Sequence, residues 1–323
     1  MSKYIFKRIL ISIPVFVGIT LLVYALSSAA TGSPAAMLIG GDIENLTPEK
    51  IAIVEEQLGL NQPVIIRYIK WFRQLLLGNF GVSYRTGKPV LDMISARLGA
   101  TLLLTLSATV ISSIIAIFLG IMSAYKPYSG WDYLSSAFSF IGASMPNFFV
   151  GLLFIYFISV KLKLLPSSGM YDAATNANLA SLLKHLIMPM LTLCMQQIGS
   201  ILRQTRGSML EILGNDFIRT ARAQGLSERR VVFRHGLRNA LIPILTVLGG
   251  MLPFIIGGAV VTEQLFSWPG LGSLMVQSIN SRDYPVIMGM TVFISLVILI
   301  GNIVLDILYC MADPRIRHSR NKQ

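Results

Sequence analysis

Six apolar stretches of 17 to 28 residues recur along this chain and limit what it can fold into. A bilayer core of about 30 Å is crossed by a helix of about 20 mostly apolar residues, and a helix satisfies its own backbone in lipid. The fourth stretch is the weakest, because Gln196, Gln197 and Arg203 interrupt it. The predicted spans are Ile9–Ala29, Ala100–Tyr125, Tyr133–Val160, Leu186–Leu202, Ala240–Val261 and Pro285–Met311.

The composition excludes an ordinary soluble enzyme. Hydrophobic residues make up 54% of the 323 residues and charged residues 13%, and that charged share is about half that of a typical soluble domain. Both cysteines, Cys194 and Cys310, lie in apolar stretches, so their spacing indicates neither a disulfide framework nor a metal site. We therefore predict an all-α membrane protein with six transmembrane helices.

The first apolar stretch has two interpretations. Lys3, Lys7 and Arg8 precede it, as in a secretory signal peptide. Its apolar part, residues 9–26, is longer than a signal-peptide core of about 7–15 residues, which favours an uncleaved membrane anchor.

The positive charge of the chain predicts its orientation. The net charge is +12. Apart from those in the long segment 31–99 between the first two spans, most Lys and Arg lie in the N-terminal tip, in 203–238 and in the C-terminal tail. Because cytoplasmic segments of membrane proteins carry an excess of Lys and Arg, both termini are expected in the cytoplasm. This distribution explains the basic balance without nucleic acid.

Four regions follow from these spans. Residues 1–30 hold the N-terminal tip and first transmembrane helix, and 31–99 form an extracytoplasmic insertion. Residues 100–311 are expected to hold the other five predicted spans, with a cytoplasmic loop at 203–238, and 312–323 to form a basic cytoplasmic tail.

The insertion is expected to contain two amphipathic helices. Apolar residues repeat at helical spacing in 51–58 and again at Ile66, Ile69, Phe72 and Leu76.

No catalytic constellation is visible. His185, His235 and His318 lie in different segments without metal-ligand spacing. The stretch Gly81–Pro89 resembles a phosphate-binding loop, but it has one residue too many between its glycines and a proline where Ser or Thr would bind magnesium. We predict no catalytic residue, no metal site and no cofactor in this chain.

Helix-breaking and polar residues within the spans are candidates for a translocation path. Pro146, and Pro253 with Gly257, interrupt the third and fifth spans, and broken helices line cavities in transporters. Gln196 and Gln197 either line a polar path or join helices by hydrogen bonds.

Further proline and polar residues within or at the ends of the spans also carry predictions. Pro189 is expected to start the fourth span, and Glu263 lies at the outer end of the fifth. Asn302 and Asp306 share a helix face, as in a proton relay. No second intramembrane acid pairs with them, so interhelical hydrogen bonding is the favoured interpretation.

The segment between the fourth and fifth spans is the most informative one. Asn215 or Asp216 is expected to cap a short helix that Gly225 closes in a left-handed conformation, and Ser227 to cap a second helix. The spacing from Ala221 to Gly225 also resembles a DNA-reading helix-turn-helix, but membrane spans hold this segment at both ends.

Small residues ringed by arginines favour docking into a cleft of another protein. Two capped helices argue against a featureless solvated loop, which is the plainer alternative. The candidate docking residues are Asp216, Arg219, Ala221, Arg222, Ala223, Gly225, Arg229 and Arg230.

The stretch Asp216–Pro243, with its Ala-Arg-Ala-Gln-Gly-Leu-Ser core, resembles the EAA loop of permease subunits in binding-protein-dependent ABC importers. The first Glu of that pattern is Thr220 here, so no ion pair is drawn from that position. Further motifs resemble the peptide/nickel branch of the family and extend the resemblance over nearly the whole chain. They are Gln57–Pro63, Gly78–Gly81, Arg85–Val90, Leu165–Gly169, Glu263–Gly272, Arg282–Pro285 and Asp313–Arg315.

This resemblance implies a type I importer permease of the bacterial inner membrane, with a five-helix core plus the N-terminal helix. It implies a heterodimer with a second homologous permease, two ATPase subunits that hold ATP–Mg, and an extracytoplasmic substrate-binding protein. The helix at 216–225 would sit in an ATPase cleft, with Ala221, Ala223 and Gly225 in close contact, and would couple ATP binding to alternating access.

The resemblance leaves the cargo open. Peptides are expected on frequency, and nickel chelates, glutathione and sugars are the alternatives within the branch. An ion-coupled secondary transporter would show intramembrane charge pairs and inverted repeats, and a membrane-embedded enzyme would show a catalytic constellation. None of these features is visible in the sequence.

Overall fold

The computed structural model describes residues 2–29, 53, 56, 61–172, 178–257 and 259–312. The named regular elements within these ranges are all helical. In chain order they are α1 (Ser2–Ala29), α2 (Val64–Leu76), α3 (Val90–Tyr125), α4 (Gly130–Ser144), α5 (Asn147–Phe154, followed by a π-helical segment, Ile155–Lys161), α6 (Leu179–Leu213), α7 (Asp216–Ala223), α8 (Glu228–Arg230, followed by a π-helical segment, Val231–Leu237), α9 (Arg238–Gly249), α10 (Leu252–Gly257), α11 (Val260–Leu265), α12 (Leu271–Asn280) and α13 (Tyr284–Ala312).

The described part of the chain contains five helical runs that are long and apolar enough to cross a membrane, and a bent pair that makes a sixth if counted as one span. These runs confirm the predicted all-α membrane fold. They are Phe6–Ala29, Val90–Tyr125, the pair Gly130–Ser144 and Asn147–Lys161, Leu179–Leu213, Glu228–Gly249 and Tyr284–Ile307.

The break predicted in the third span is confirmed. Helices α4 and α5 meet at a bend of 103°, and Pro146 is the residue immediately before α5. Because proline has no N–H and its ring clashes with the preceding turn, a continuous helix through this position is strongly disfavoured.

The boundary predicted at Pro189 is wrong. Helix α6 begins at Leu179, where the side chain of Asn178 caps it by accepting a hydrogen bond from the backbone N–H of Ser181 at 2.7 Å. Pro189 is buried inside α6. It removes one backbone hydrogen bond from a helix of 35 residues, and that loss does not end the helix.

The fifth predicted span also has different bounds. Its membrane-length run begins at Glu228, well before Ala240, and ends at Gly249. Gly250 follows as the C-cap, and the next apolar residues form the separate short helices α10 and α11. Glycine and proline close together at 249–253 explain the interruption.

The chain divides into two compact units, one made of residues 1–99 with 273–303 and the other of residues 100–272 with 304–323. In the first unit, α2 packs against α1 through aromatic side chains and a 3.0 Å hydrogen bond between the hydroxyls of Thr20 and Tyr68.

Helix α2 lies where the second amphipathic helix was predicted, but the buried face is a different one. The partly buried face carries Tyr68, Trp71 and Leu75, while Ile66, Ile69 and Leu76 of the predicted apolar face are exposed. The first predicted amphipathic helix lies outside the described residues, apart from positions 53 and 56.

In the second unit, α4 crosses α6 with the two backbones almost touching. A Cβ at Gly142 would lie 2.4 Å from the carbonyl oxygen of Met195. The Ser139 hydroxyl donates a 2.8 Å hydrogen bond to the carbonyl of Gly199. Small residues at such a crossing allow close helix packing in membranes, where the lipid supplies little hydrophobic drive for helix association.

Candidate functional site

The candidate site is the loop from Leu213 to Arg238, built around helix α7. The N-cap is Asn215, and Asp216 in the first turn places a negative charge at the positive end of the helix dipole. Gly225, with φ +77°, ends the loop helix in the left-handed region that glycine adopts without strain. These features confirm the predicted first helix, with Ser227 as the N-cap of the following α8.

The predicted loop at 203–238 is shorter than expected. Residues 203–213 belong to α6, and the residues from Glu228 onward belong to the helical run that continues to Gly249. The connecting loop proper is therefore α7 with its two flanking turns, joined directly to two long helices.

A small hydrophobic core holds this loop together. Ile218, Ala221 and Val231 are all buried against one another, with Leu213 and Leu226 packed around them. Ile218 and Ala221 are three residues apart and therefore lie on one face of α7. The loop is consequently held together as one unit, and the side chains of α7 outside this core are exposed.

Two ion pairs lie on the surface of the loop. Arg222 Nε donates to Glu228 Oε1 at 2.8 Å, linking α7 to α8, and Arg219 lies 3.6 Å from Asp216 on the same helix. All four side chains are exposed, and exposed pairs of this kind contribute about 0–1 kcal/mol. The hydrophobic core therefore sets the loop conformation more than these ion pairs do.

The outer face of the loop combines aromatic and basic side chains. Phe217 and Phe233 are each 45% exposed. Arg229 and Arg230 are exposed on α8, shortly before Phe233 in the sequence. Aromatic and arginine side chains are the residues that most often anchor protein–protein interfaces. Sequence reasoning missed both phenylalanines. Phe217 is four residues before Ala221, so it borders the buried face of α7 and is still 45% exposed.

Ala221, Ala223 and Gly225 were predicted to be docking positions because they are small, and the structure gives two of them a different reason for their size. Ala221 is buried in the core of the loop, so it does not lie on the outer face as expected, and its small size is explained by packing within this chain. Ala223 and Gly225 are exposed. A Cβ at Gly225 would meet nothing within 4 Å, so within this chain its backbone conformation, not crowding, requires glycine.

The residues expected along a translocation path are placed at helix contacts. Gln197 is buried and accepts a 2.7 Å hydrogen bond from the Ser112 hydroxyl of α3. Gln196 is exposed and accepts a 2.7 Å hydrogen bond from Asn147, next to the Pro146 bend. Both contacts favour the interpretation that these glutamines join helices.

The remaining path candidates, Pro253 and Gly257, both lie on the short helix α10. Pro253 is exposed. They are therefore part of the interrupted region that follows the end of α9 at Gly249.

Glu263 lies on α11 and is fully buried. Its Oε1 accepts a 2.8 Å hydrogen bond from the Thr101 hydroxyl. The turn that follows folds over Glu263. The backbone N–H of Trp268 donates to the Glu263 backbone carbonyl at 2.8 Å, and a Cβ at Gly270 would lie 2.3 Å from the carboxyl carbon of Glu263. This carboxylate is built into a turn, which is a structural role.

Membrane-length apolar helices, two of which are joined by a short helical loop that exposes aromatic and basic side chains, define an integral membrane protein. The family comparison identifies the class further. The chain belongs to the family described as binding-protein-dependent transport system inner membrane component, whose model matches residues 116–318. The corresponding N-terminal family model matches residues 1–105. The chain is thus a multi-pass inner-membrane protein.

Curated relatives match over their whole length. The oligopeptide transport system permease protein AppB of Bacillus subtilis is 44% identical over 319 residues, covering 98% of this chain and 100% of the relative. The dipeptide transport system permease protein DppB of Escherichia coli K12 is 35% identical over 341 residues, covering 99% and 100%.

A solved structure has the same fold. The chain from inward-facing conformations of the MetNI methionine ABC transporter matches with a TM-score of 0.52 and 16% identity, covering 69% of this chain and 97% of that one. At this identity the similarity concerns the fold alone.

Proposed function

We propose that this protein is the permease subunit of an ATP-driven importer that translocates peptides delivered by an extracytoplasmic binding protein. Family membership supports the permease role, and the names of the full-length relatives support oligopeptide or dipeptide cargo. The observation that carries the mechanism is the preformed loop whose outer face exposes Phe217 and arginines while its inner face is buried.

In this proposal the loop docks into a partner ATPase, and ATP–Mg is bound there and not by this chain. A second homologous permease completes the membrane pore, so two ATPase subunits are engaged, one by each permease. Nucleic acid has no part in the assembly. The buried Glu263, held by Thr101 and its turn, gives no support to an ion-coupled alternative.

The path for mechanical coupling is short. Val232, Ala240 and Ile244 from the helical run 228–249 are buried against Met209 of α6 and Ile121 of α3. Helix α7 joins this packing through Ile218 and Ala221, which are buried against Val231 and Leu213. A displacement of α7 therefore acts on the long helices through packed side chains. For transport, ATP must favour the outward-facing state over the inward-facing state, because an effector shifts an equilibrium only by its differential affinity.

The test is reconstitution of the complex with Phe217→Ala. The loop core does not include Phe217, so the variant should fold and insert while losing ATPase affinity by about 30-fold, the equivalent of a 2 kcal/mol interface anchor. Trp131→Ala removes another exposed aromatic side chain, on α4, and should leave ATPase copurification unchanged.

Gly225 supplies a second variant pair. Gly225→Val forces a β-branched residue into a left-handed conformation and should uncouple ATP hydrolysis from uptake, whereas Gly225→Asn, which tolerates that conformation, should retain most coupling. If Gly225→Asn is as defective as Gly225→Val, steric docking at this position is the cause. Transport by the purified chain without any ATPase would contradict the proposed function.

A further inference from the structure

A cavity of about 620 Å³ lies within the first unit, outside the loop described above. One wall is the loop 81–89, which carries Arg85 and Lys88. The second wall is the start of α3, which contributes Arg97, and the third is α12, which contributes Gln277 and Ser278. Three cations from two separate elements therefore line one cavity.

The loop that carries two of these cations is rigid. Ser83 N–H donates to the Lys88 carbonyl at 2.9 Å, and Gly87 N–H donates to the Ser83 carbonyl at 3.0 Å. Asp283 is buried beneath the loop and accepts hydrogen bonds from the Ser83 hydroxyl at 2.5 Å and from Tyr84 N–H at 3.0 Å. Arg85 and Lys88 are thus held on a preorganised support, which lowers the entropic cost of binding a partner.

Two carboxylates also line this cavity, and the three cations outnumber them. Asp283 fastens the loop, as described, and Asp92 lies in the first turn of α3, where a negative charge complements the helix dipole. The positive side chains are therefore the groups with which a ligand would interact, and the cavity favours an anion.

The backbone argues for a carboxylate over a phosphate. A phosphate-binding loop offers a nest of free backbone N–H groups. Here Thr86 N–H donates to the Ser83 hydroxyl at 3.0 Å, and Lys88 N–H donates to the Thr86 hydroxyl at 3.4 Å. Because these amides already donate within the loop, the groups left to bind an anion are the long cationic side chains at the exposed rim. Such side chains typically steer a charged protein partner.

We infer that this cavity, the 85–97 cleft, is a docking site for acidic side chains of the extracytoplasmic binding protein. The inference rests on the proposed function and on the predicted outer location of this segment. Arg85 and Lys88, both exposed, act at the rim and accelerate encounter. Arg97, half-buried and donating to Ser273 at 3.4 Å, receives a carboxylate inside the cleft and slows dissociation.

The test measures association of the cognate binding protein with the complete importer in nanodiscs of zwitterionic lipid. Charge reversal by Arg85→Glu with Lys88→Glu should lower the association rate by about 10-fold at low salt and flatten its salt dependence. Lys163→Glu with Lys184→Glu makes the same charge change at two other exposed positions and should leave the rate unchanged. Arg97→Gln should mainly increase the dissociation rate.

Specific results would overturn this inference. One is an association rate that is the same in the 85/88 variant and the 163/184 control. A second is loss of discrimination between free-acid and C-terminally amidated peptides with unchanged binding-protein association, which would assign the cleft to the peptide carboxylate. A third is an effect that appears only when anionic lipid is added, which would assign the cleft to lipid.

Assembly controls separate this inference from the proposed function. Both charge-reversal variants should copurify with the ATPase, and the milder pair Arg85→Gln with Lys88→Gln should give an intermediate rate. An assembled complex with unchanged association overturns the docking site alone, whereas a chain that never assembles with an ATPase overturns the proposed function.

Discussion

The guanidinium of Arg206 donates two hydrogen bonds to the carboxylate of Asp132, from Nε to Oδ1 at 2.6 Å and from Nη2 to Oδ2 at 2.8 Å. The two residues are 74 positions apart in the sequence. Asp132 is 4% exposed, and it also accepts hydrogen bonds from the Ser123 hydroxyl and from Tyr128 N–H. This one carboxylate therefore joins the end of α3, the start of α4 and the last turns of α6.

Removing one partner of this ion pair should destabilise the fold. Arg206→Ala leaves a buried, uncompensated carboxylate, and we expect a loss of about 3–5 kcal/mol in the free energy of unfolding. The double variant Asp132→Leu with Arg206→Met should recover most of that loss, because it removes both charges. Thermal unfolding of the purified complex measures both effects.

The control for the ion pair is Arg73→Ala, which truncates an exposed arginine on α2, outside the proposed docking loop, and should shift the unfolding temperature little. Equal stability of Arg206→Ala and Arg73→Ala would show that the Asp132–Arg206 pair contributes nothing.

The α4–α6 crossing should not tolerate a methyl group. Gly142→Ala would place its Cβ 2.4 Å from the Met195 carbonyl oxygen, and because that neighbour is backbone, the helices must move apart. We expect a loss of about 1–3 kcal/mol, typical of overpacking, measured as a lower unfolding temperature.

The matched control is Gly207→Ala on α6, the other helix of this crossing, where a new Cβ would meet nothing within 4 Å. Because alanine restricts the unfolded chain and favours helix, this variant should be neutral or more stable by up to about 1 kcal/mol. Equal unfolding temperatures for Gly142→Ala and Gly207→Ala would contradict the close packing assigned to this crossing.

Cysteine labelling tests the predicted orientation. In a background with Cys194→Ala and Cys310→Ala, Thr86→Cys should react with a membrane-impermeant maleimide in intact spheroplasts. Ala223→Cys should react only after permeabilisation, because the positive-inside distribution predicts a cytoplasmic α7. Both positions are exposed, so accessibility does not limit the reaction. The reverse pattern would contradict both the predicted orientation and the docking roles assigned to the two loops.

Local sequence signals predicted much of this fold. The apolar stretches predicted the membrane helices, Pro146 predicted the bend, and Asn215, Asp216 and Gly225 predicted the short helix α7. Each of these features depends on residues close together in the chain, through hydropathy, capping or a fixed backbone angle. The boundaries at Pro189 and Ala240 were wrong because caps and glycine pairs elsewhere determine where those helices begin and end.

The site was only partly predictable for the same reason. The sequence by itself determined that a short capped helix with small and basic residues lies between two spans, and that Arg85 and Lys88 lie on one loop. Only the tertiary structure decided that Ala221 faces inward, that Phe217 faces outward, and that Arg97 meets the loop cations in a cavity. Those outcomes depend on which helix faces pack together, and packing between distant segments leaves no signal in local composition or spacing.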